Sequence, residues 1–289
     1  MAQLRRSEHS FDQESQLRPR RPNSKSLPSK FRCQARITNR QLFPIFRSRL
    51  EYLTTFNRLL DLSKYPRVRQ AGAPDHHSVA AGLIHHSQCV GGFLHIAITD
   101  HGDRLREGRL EEQLEQVEAL NARLAPFRIL TGVESAIRAD GSLDLPDEQL
   151  ARLDWVFGAL HTSFERSPTA RILGAMENPH VDCIAHPTAR KIGQREPEVE
   201  IERLVARAVE TGTALEINGQ PDRLDLRDTH ARLAGEAGAK IVISSDGHRP
   251  VTLMSIELGL AQARRAWLTS EQVLNTRPWE RILHARKSS

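Results

Sequence analysis

The apolar residues of the chain follow two alternating patterns from Phe93 onward. Short, nearly continuous apolar runs rich in β-branched residues predict buried strands, and charged segments with helical spacing lie between them. The predicted strands are residues 93–99, 128–133, 154–160, 181–185, 213–217 and 240–244. The predicted helices are residues 103–125, 147–152, 165–177, 198–211 and 228–237, with a last helical region over 252–286. This alternation is typical of an α/β fold with a parallel sheet, and strands without edge-type sequences favour a closed or nearly closed barrel.

The first 92 residues have a different composition. Residues 1–40 are rich in Arg, Ser, Pro and Gln and lack periodicity, which predicts a disordered basic segment. Within the atypical segment 41–92, residues 41–65 have the spacing of one short amphipathic helix. Residues 66–92 carry small side chains and two His-His pairs without a clear period. We therefore expect these two segments to precede a barrel domain over residues 93–286.

The charge of the chain is concentrated at its N-terminal end. The formal net charge is +5, but residues 1–70 carry 16 Lys and Arg against 5 Asp and Glu, a net charge of +11. The remaining residues therefore carry a net charge of −6. A mildly acidic body argues against a broad nucleic-acid-binding surface, so contacts with phosphate there must come from local arginines.

Cysteine usage and hydropathy indicate a cytoplasmic protein. Cys33, Cys89 and Cys183 are odd in number and lack CxxC spacing, which argues against a disulfide framework and a cysteine zinc site. No apolar run approaches the ~18 residues that a membrane span needs. The N-terminus also lacks the apolar core of a secretory signal. We expect no membrane partner, and the oligomeric state stays open.

Ligand-type residues follow five of the six predicted strands at the same end. They are Asp100-His101, Glu134, His161, His186 and Asp246-Gly247-His248, whereas the fifth strand ends in Asn218. In a parallel barrel all these ends lie on one face, so the side chains are expected to converge. Each alone is as readily explained as a helix cap or a satisfied polar residue. Together, several imidazoles and carboxylates suit Zn²⁺, Mn²⁺ or Fe.

Such a cluster points to metal-assisted hydrolysis. A carboxylate among several histidines is well placed to bridge two ions, and a multinuclear site can activate water and stabilise the leaving oxygen of a phosphoester. The sequence contains no Ser or Cys nucleophile motif and no GxxxxGK[ST] loop. His95 shares a strand face with His101 but lies deeper, so we expect it in the core, and we expect Asp100 to cap or to support the ligands.

The motifs ITDHG, GVE, GALH, IAHP and SSDGH resemble those of the PHP (polymerase and histidinol phosphatase) superfamily. Longer segments resemble the C-terminal PHP domain of bacterial family X DNA polymerases. These segments are residues 143–150, 184–197, 211–234 and 263–276. The resemblance covers roughly residues 93–280. It implies a distorted (β/α)7 TIM-like barrel that holds up to three metal ions and hydrolyses phosphoesters, with 3′–5′ exonuclease and DNA 3′-end processing in the polymerase branch.

The resemblance also implies roles for individual residues. The positions that match the family's metal ligands are His101, Glu134, His161, His186, Asp246 and His248. Glu134 matches the bridging carboxylate, and His161 and His186 would complete one ion's site with it. His101 and His248 would bind a second ion, and Asp246 would bind a third. The family mechanism uses a metal-bound water and no protein nucleophile. Arginines in loops after strands could bind phosphate or form salt bridges with equal ease. They are Arg190, Arg195 and Arg223.

The chain departs from the family at its first strand, which should end in an HxH motif near residues 69–71. The nearby pairs His76-His77 and His85-His86 are poor replacements, because adjacent residues of a strand point to opposite faces. The first βα unit is therefore atypical or missing, and no polymerase domain is expected within residues 1–92. We expect the ion at Glu134 to be best retained and the other two sites to be weakened.

Three functions follow from these features. The first is a metal-dependent phosphoesterase acting on DNA 3′ ends. The second is a small-molecule phosphatase of the histidinol-phosphatase type, because the net negative charge of the residues after 70 is compatible with a small substrate. The third is an inactive DNA-binding or scaffold protein, in which the basic residues 1–70 hold nucleic acid and the barrel is structural. The expected partner is thus nucleic acid or a phosphorylated small molecule.

Overall fold

Seven strands form one sheet in the computed structural model, which describes residues 77–83, 93–106, 108–248 and 250–287. The strands are β1 (His77–Leu83), β2 (Phe93–His101), β3 (Arg128–Ala136), β4 (Trp155–Ala159), β5 (Cys183–Ala185), β6 (Ala214–Asn218) and β7 (Ile241–Ser244). Their order in the sheet follows the chain from β1 to β7. β2 to β7 pair in parallel, whereas β1 pairs antiparallel with β2. Because β1 also contacts β7, the sheet curls like a barrel wall.

A helix connects each pair of successive parallel strands from β2 to β7, and two further helices follow β7. These helices are α1 (Arg109–Leu124), α2 (Asp147–Leu150), α3 (Pro168–Glu177), α4 (Ile201–Thr211), α5 (Asp228–Glu236), α6 (Ile256–Arg265) and α7 (Trp279–Leu283). Short 3-10 helices span Gly102–Arg104, Pro250–Ser255, Ser270–Gln272 and Leu274–Thr276. The predicted alternation and the distorted barrel are confirmed, and the strand before β2 is the antiparallel β1, in agreement with an atypical first unit.

The segment before Phe93 contains the largest difference from the sequence-based expectation. β1 lies within residues 66–92, for which the apolar pattern predicted no regular element. Its run of small residues, HSVAAGL, has no polar–apolar alternation from which a strand could be recognised. The predicted disordered segment 1–40 and the predicted helix over 41–65 lie outside the described residues, as do His76, His85 and His86.

The sheet is apolar on both faces. Ile96 and Val133 belong to a cluster that packs against the helices, whereas Ala97 and Leu130 belong to a second cluster on the opposite, inner face. Successive residues of a strand point to opposite faces, so burial on both sides requires apolar residues at almost every position. This requirement explains why the predicted strands read as continuous apolar runs.

The C-terminal residues cover the amino-terminal end of the barrel. Trp279 packs against the inner cluster, and the guanidinium of Arg128, the first residue of β3, lies 5.0 Å from its ring centroid. Lys240 Nζ donates to the Ala285 carbonyl at 2.8 Å, and Lys287 Nζ donates to the Asn178 carbonyl at 3.0 Å. These contacts close the end of the barrel that lies opposite the ligand-type residues.

His95 lies in the inner core, as predicted, and makes stability depend on pH. It is only 2% exposed, and neither ring nitrogen has a hydrogen-bond partner among the described residues. Burial lowers the pKa of His95 from 6.5 to about 4, although the charge of Glu280 opposes this. The unfolded chain therefore binds a proton that the folded chain excludes, and stability is lost as pH falls from about 6.5 to about 4.

His95 is expected to lower the free energy of unfolding of the wild type by about 2 kcal/mol between pH 7 and pH 5, and His95→Leu should abolish this loss. The neutral side chain fills a similar volume and has no proton to exclude. Urea unfolding of the wild type and variant at both pH values measures the difference. His284→Leu, at an exposed histidine, should leave the difference in place. An equal pH dependence in wild type and His95→Leu would contradict the assignment.

Candidate metal centre

The six predicted ligand residues lie together at the carboxyl ends of the strands. His101 ends β2 and lies opposite Glu134 in the register of β3. His161 follows β4 by two residues, and His186 follows β5 directly. Asp246 and His248 follow β7, which completes the set. The structure thus brings all six side chains to one rim, because the carboxyl ends of parallel strands lie on the same side of the sheet. Their role as metal ligands stays a prediction.

Glu134 occupies the middle of this group. It is 4% exposed, and its Oε1 lies 2.8 Å from His161 Nε2 and 3.1 Å from His186 Nε2. Burial alone would raise the pKa of Glu134, but the bonds to these two histidines hold it well below the usual value. Burial likewise opposes a charge on His161, yet the bond to Glu134 raises the pKa of that imidazole. A buried carboxylate that stays ionised is suited to bind a cation.

His101 joins the same group. The ligand atoms of His101, Glu134 and His161 all lie within 4.8 Å of one another, the only such set of three or more among the described residues. The ring of His101 is 5.1 Å from that of His161 and 6.2 Å from that of His248, measured between centroids. Burial lowers the pKa of His101, which keeps its imidazole neutral and able to donate an electron pair. The geometry therefore groups His101 with Glu134 and His161, whereas the resemblance assigned it to a second ion.

Asp246 and His248 form the other side of the cluster. Asp246 Oδ2 accepts a hydrogen bond from Asn218 Nδ2 at 3.0 Å, and its Oδ1 lies 3.6 Å from His248 Nδ1. Arg223 Nε lies 3.6 Å from Asp246 Oδ2. Asp246 has a φ of 47°, a left-handed conformation that is rare for residues with a side chain. The strained backbone turns the carboxylate into the rim.

Glu216 is a buried acid of the site that the sequence reading missed. Its Oε2 accepts the backbone N–H of His186 at 2.5 Å and the Asn218 amide at 3.2 Å, and Ser244 Oγ donates to its other oxygen. Burial, and next the charge of Asp246, raise the pKa of Glu216 to about 8. Since His186 has a φ of 30°, Glu216 stabilises a strained residue and so fixes the direction of its ring. The sequence signal that indicates Glu216 is the presence of an acidic residue within the apolar run ALEIN.

The three candidate arginines differ in their surroundings. Arg223 is 19% exposed at its side chain and reaches the cluster through Asp246. Arg190 Nε lies 3.2 Å from Glu196, and its Nη1 donates to the Leu224 carbonyl, so this side chain joins two loops. Arg195 is 88% exposed and pairs with Glu198 at 3.2 Å. Of the three, Arg223 is the one that the fold brings to the centre.

Arg171 is a buried residue beside the rim that no sequence motif indicated. Its guanidinium is bonded to backbone carbonyls of the two loops that follow β3 and β4. The accepting residues are Ile137 (2.6 Å), Arg138 (2.9 Å), Thr162 (2.9 Å) and Ser163 (3.1 Å). Because Thr162 follows His161 directly, Arg171 fixes the backbone beside a candidate ligand. Asp100 accepts a hydrogen bond from Gln113 of α1 at 3.1 Å, in keeping with a supporting role.

No family model matches the chain. Over 196 residues, 64% of its length, the chain is 42% identical to the DNA polymerase/3′-5′ exonuclease PolX of Bacillus subtilis, of which 34% is covered. Over 198 residues it is 32% identical to a probable phosphatase of Thermoanaerobacter sp. (strain X514), of which 79% is covered. The chain belongs to the PHP superfamily of metal-dependent phosphoester hydrolases. This PHP chain spans about a third of the length of PolX and most of the length of the phosphatase.

Another similarity is to a solved structure, histidinol phosphate phosphatase from Lactococcus lactis complexed with Zn, L-histidinol and phosphate. The TM-score is 0.48 at 16% identity, and the match covers 62% of this PHP chain and 84% of that chain. Within the part of the chain that the structure describes, no helix is both long and apolar enough to cross a membrane.

Proposed function

We propose that the chain is a divalent-metal-dependent phosphoesterase that acts on DNA 3′ ends. The observation that carries the proposal is the buried, ionised Glu134, around which His101, His161 and His186 place ligand nitrogens at the rim of the barrel. The preference for DNA rests on the 42% identity to PolX. Asp246 and His248 would extend the site towards further ions.

The donor set fits a divalent ion. Imidazoles and a carboxylate are ligands that Zn²⁺, Mn²⁺ and Fe accept; the ligand atoms of His101, Glu134 and His161 lie within 4.8 Å of one another, and His186 Nε2 lies 3.1 Å from Glu134 Oε1. An ion bound there would supply Lewis acidity towards a phosphoester oxygen and an activated water. The donors by themselves do not select among these metals.

The protein groups around the centre have separate tasks. Glu134 contacts two histidines through one oxygen, and Glu216 restrains His186 by accepting its backbone N–H. Arg223 would bind a phosphate oxygen; its position 3.6 Å from Asp246, at the edge of the candidate ligands, supports this role. Cys183 on β5 is unsuited to act as a nucleophile, since complete burial raises the pKa of its thiol well above the usual value.

A small-molecule phosphatase is the second candidate. The relatives named probable phosphatases are covered over most of their own length, 79% for the protein of Thermoanaerobacter sp. (strain X514). A compact PHP barrel would then act without a polymerase module. The two candidates use the same metal centre and differ in the substrate that reaches it.

His186→Ala is expected to abolish release of nucleotides from DNA. The full chain is incubated with Mn²⁺ and either 3′-labelled single-stranded DNA or histidinol phosphate, alongside the variant and the control His180→Ala. Activity on DNA that the control keeps supports the proposal, whereas turnover of histidinol phosphate alone supports the second candidate. Activity on neither substrate overturns both.

Metal analysis of the same preparations gives an independent readout of the centre. After dialysis we expect one tightly bound ion per wild-type chain and markedly less in His186→Ala, because one ligand of the Glu134 group is lost. Three tightly bound ions per chain would contradict the expectation that only the site at Glu134 is well retained.

A further inference from the structure

A groove opens from the metal centre between the loop after β4 and the loop before α4. His161 and Arg223 form its inner end, and Phe164, Lys191 and Arg203 lie along it. Its volume is about 920 Å³. That value lies near the top of the ~300–1,000 Å³ range of pockets that enclose drug-sized ligands. A single small phosphate ester would leave most of this space unfilled.

The cations along the groove are not equally available. Arg203 pairs with Glu200 at 2.7 Å, so this charge is compensated within the wall. Lys191 is exposed and has no acidic side chain within 4.0 Å among the described residues. A free ammonium attracts a phosphate, whereas the charge of Arg223 at the inner end is paired with Asp246 at 3.6 Å. Glutamates also line the groove, but each pairs with an arginine within 4.0 Å, which leaves Lys191 as the uncompensated charge among the described Lys, Arg and Glu side chains of the lining; these glutamates are Glu165, Glu196, Glu198 and Glu200.

An aromatic side chain lines the same groove. Phe164 is 37% exposed, so part of its ring is accessible from the groove. Its loop is firmly placed, since Arg171 binds the carbonyls of Thr162 and Ser163 directly before it. An accessible aromatic ring and an uncompensated cation in one groove are the combination with which proteins bind unpaired nucleic acid, by stacking a base and pairing with a phosphate.

We propose that this groove binds the single-stranded segment that precedes the scissile phosphate, with Phe164 stacking on a base and Lys191 contacting a backbone phosphate. The inference rests on the proposed function, because it assumes that the metal centre receives a nucleic-acid 3′ end. It adds a binding surface outside the metal centre and predicts that unpaired ends bind better than duplex ends, whose bases are not free to stack.

The test measures binding of a 5′-fluorescein-labelled oligothymidylate to the full chain by fluorescence anisotropy, with EDTA present so that hydrolysis does not interfere. Phe164→Ala and Lys191→Ala are each expected to raise Kd about tenfold, the scale of one lost stacking contact. Lys191→Ala should also reduce the slope of the logarithm of the binding constant against the logarithm of the salt concentration by about one, because one phosphate contact is lost. Both side chains are exposed, so the variants should keep the wild-type circular dichroism spectrum.

Leu258→Ala and Arg281→Ala are the matched controls, an exposed apolar residue on α6 and an exposed cation on α7. Both should bind the oligonucleotide as the wild type does. If the wild type cleaves DNA but Phe164→Ala and Lys191→Ala bind the oligonucleotide as the wild type does, the groove does not bind the single strand, and the proposed function is unaffected. A wild type that neither binds the oligonucleotide nor cleaves DNA would overturn both, and equal binding of a blunt duplex would overturn the preference for single strands.

Discussion

Replacing Glu134 with glutamine is expected to reduce hydrolysis of the phosphoester substrate by at least ~100-fold, a loss already typical of residues that only support metal ligands. Glu134 touches two of the candidate histidines, His161 and His186, through a single oxygen. The amide has nearly the same shape but neither the charge nor the basicity that a divalent ion requires. Metal affinity, measured by calorimetric titration of the metal-free chain, should fall with activity.

The same variant has a consequence in the metal-free protein. The bond to Glu134 is the main influence that raises the pKa of His161 against the effect of burial. Without the carboxylate, burial should lower the pKa of His161, so the imidazole loses its proton at a lower pH than in the wild type. Titration of the histidine NMR signals measures this shift directly.

Glu118→Gln, at an exposed position of α1, is the matched control and should keep both activity and metal binding. Retention of more than a tenth of the wild-type activity in Glu134→Gln would show that the carboxylate is not a ligand. An unchanged titration of His161 would show that the contact between Glu134 and His161 is absent in solution.

Replacing Arg171 is expected to have the second large effect. Arg171→Leu leaves four carbonyls of two loops without their donors, and each hydrogen bond to a charged group contributes ~1.5–3 kcal/mol. Since such contributions are not additive, we expect the free energy of unfolding to fall by roughly 3 kcal/mol or more, as measured in urea. The loop that carries His161 should lose its fixed position as well.

Arg171→Lys separates the charge of the side chain from its shape. Lysine keeps the positive charge but lacks the planar fork that reaches carbonyls in both loops. We therefore expect Arg171→Lys to remain folded and to bind metal about 10-fold more weakly, because the backbone beside His161 is less restrained. Arg166→Lys, at a side chain that is 75% exposed, should match the wild type. Equal metal affinity in Arg171→Lys and wild type would limit Arg171 to a purely structural role.

Much of the site was accessible from local sequence patterns. Strands buried on both faces must be apolar throughout, so β2 to β7 were visible as apolar runs, and the polar residue after each run could be read directly. Parallel pairing then places those residues on one rim, which predicts that His101 and Glu134 lie near each other, and they are opposite one another in the register of β2 and β3.

Other features depended on contacts between distant parts of the chain. β1 was missed because HSVAAGL lacks alternation, and its antiparallel pairing with β2 compensates for that weak local signal. Arg171 looked like an ordinary helix residue, since its carbonyl partners at Ile137 and Arg138 lie more than 30 residues away. The choice of Arg223 over Arg190 depended on which carboxylates the folded loops placed beside each side chain.

The sequence by itself therefore determined the class of fold, the rim at which the chemistry lies and the six residues that meet there, because hydrophobic periodicity and strand ends are local properties. Only the tertiary structure decided how those residues group around Glu134, that Glu216 and Arg171 support them, and that a groove with Phe164 and Lys191 leads to them. These features depend on distances between side chains far apart in sequence, which are set when the loops pack over the barrel.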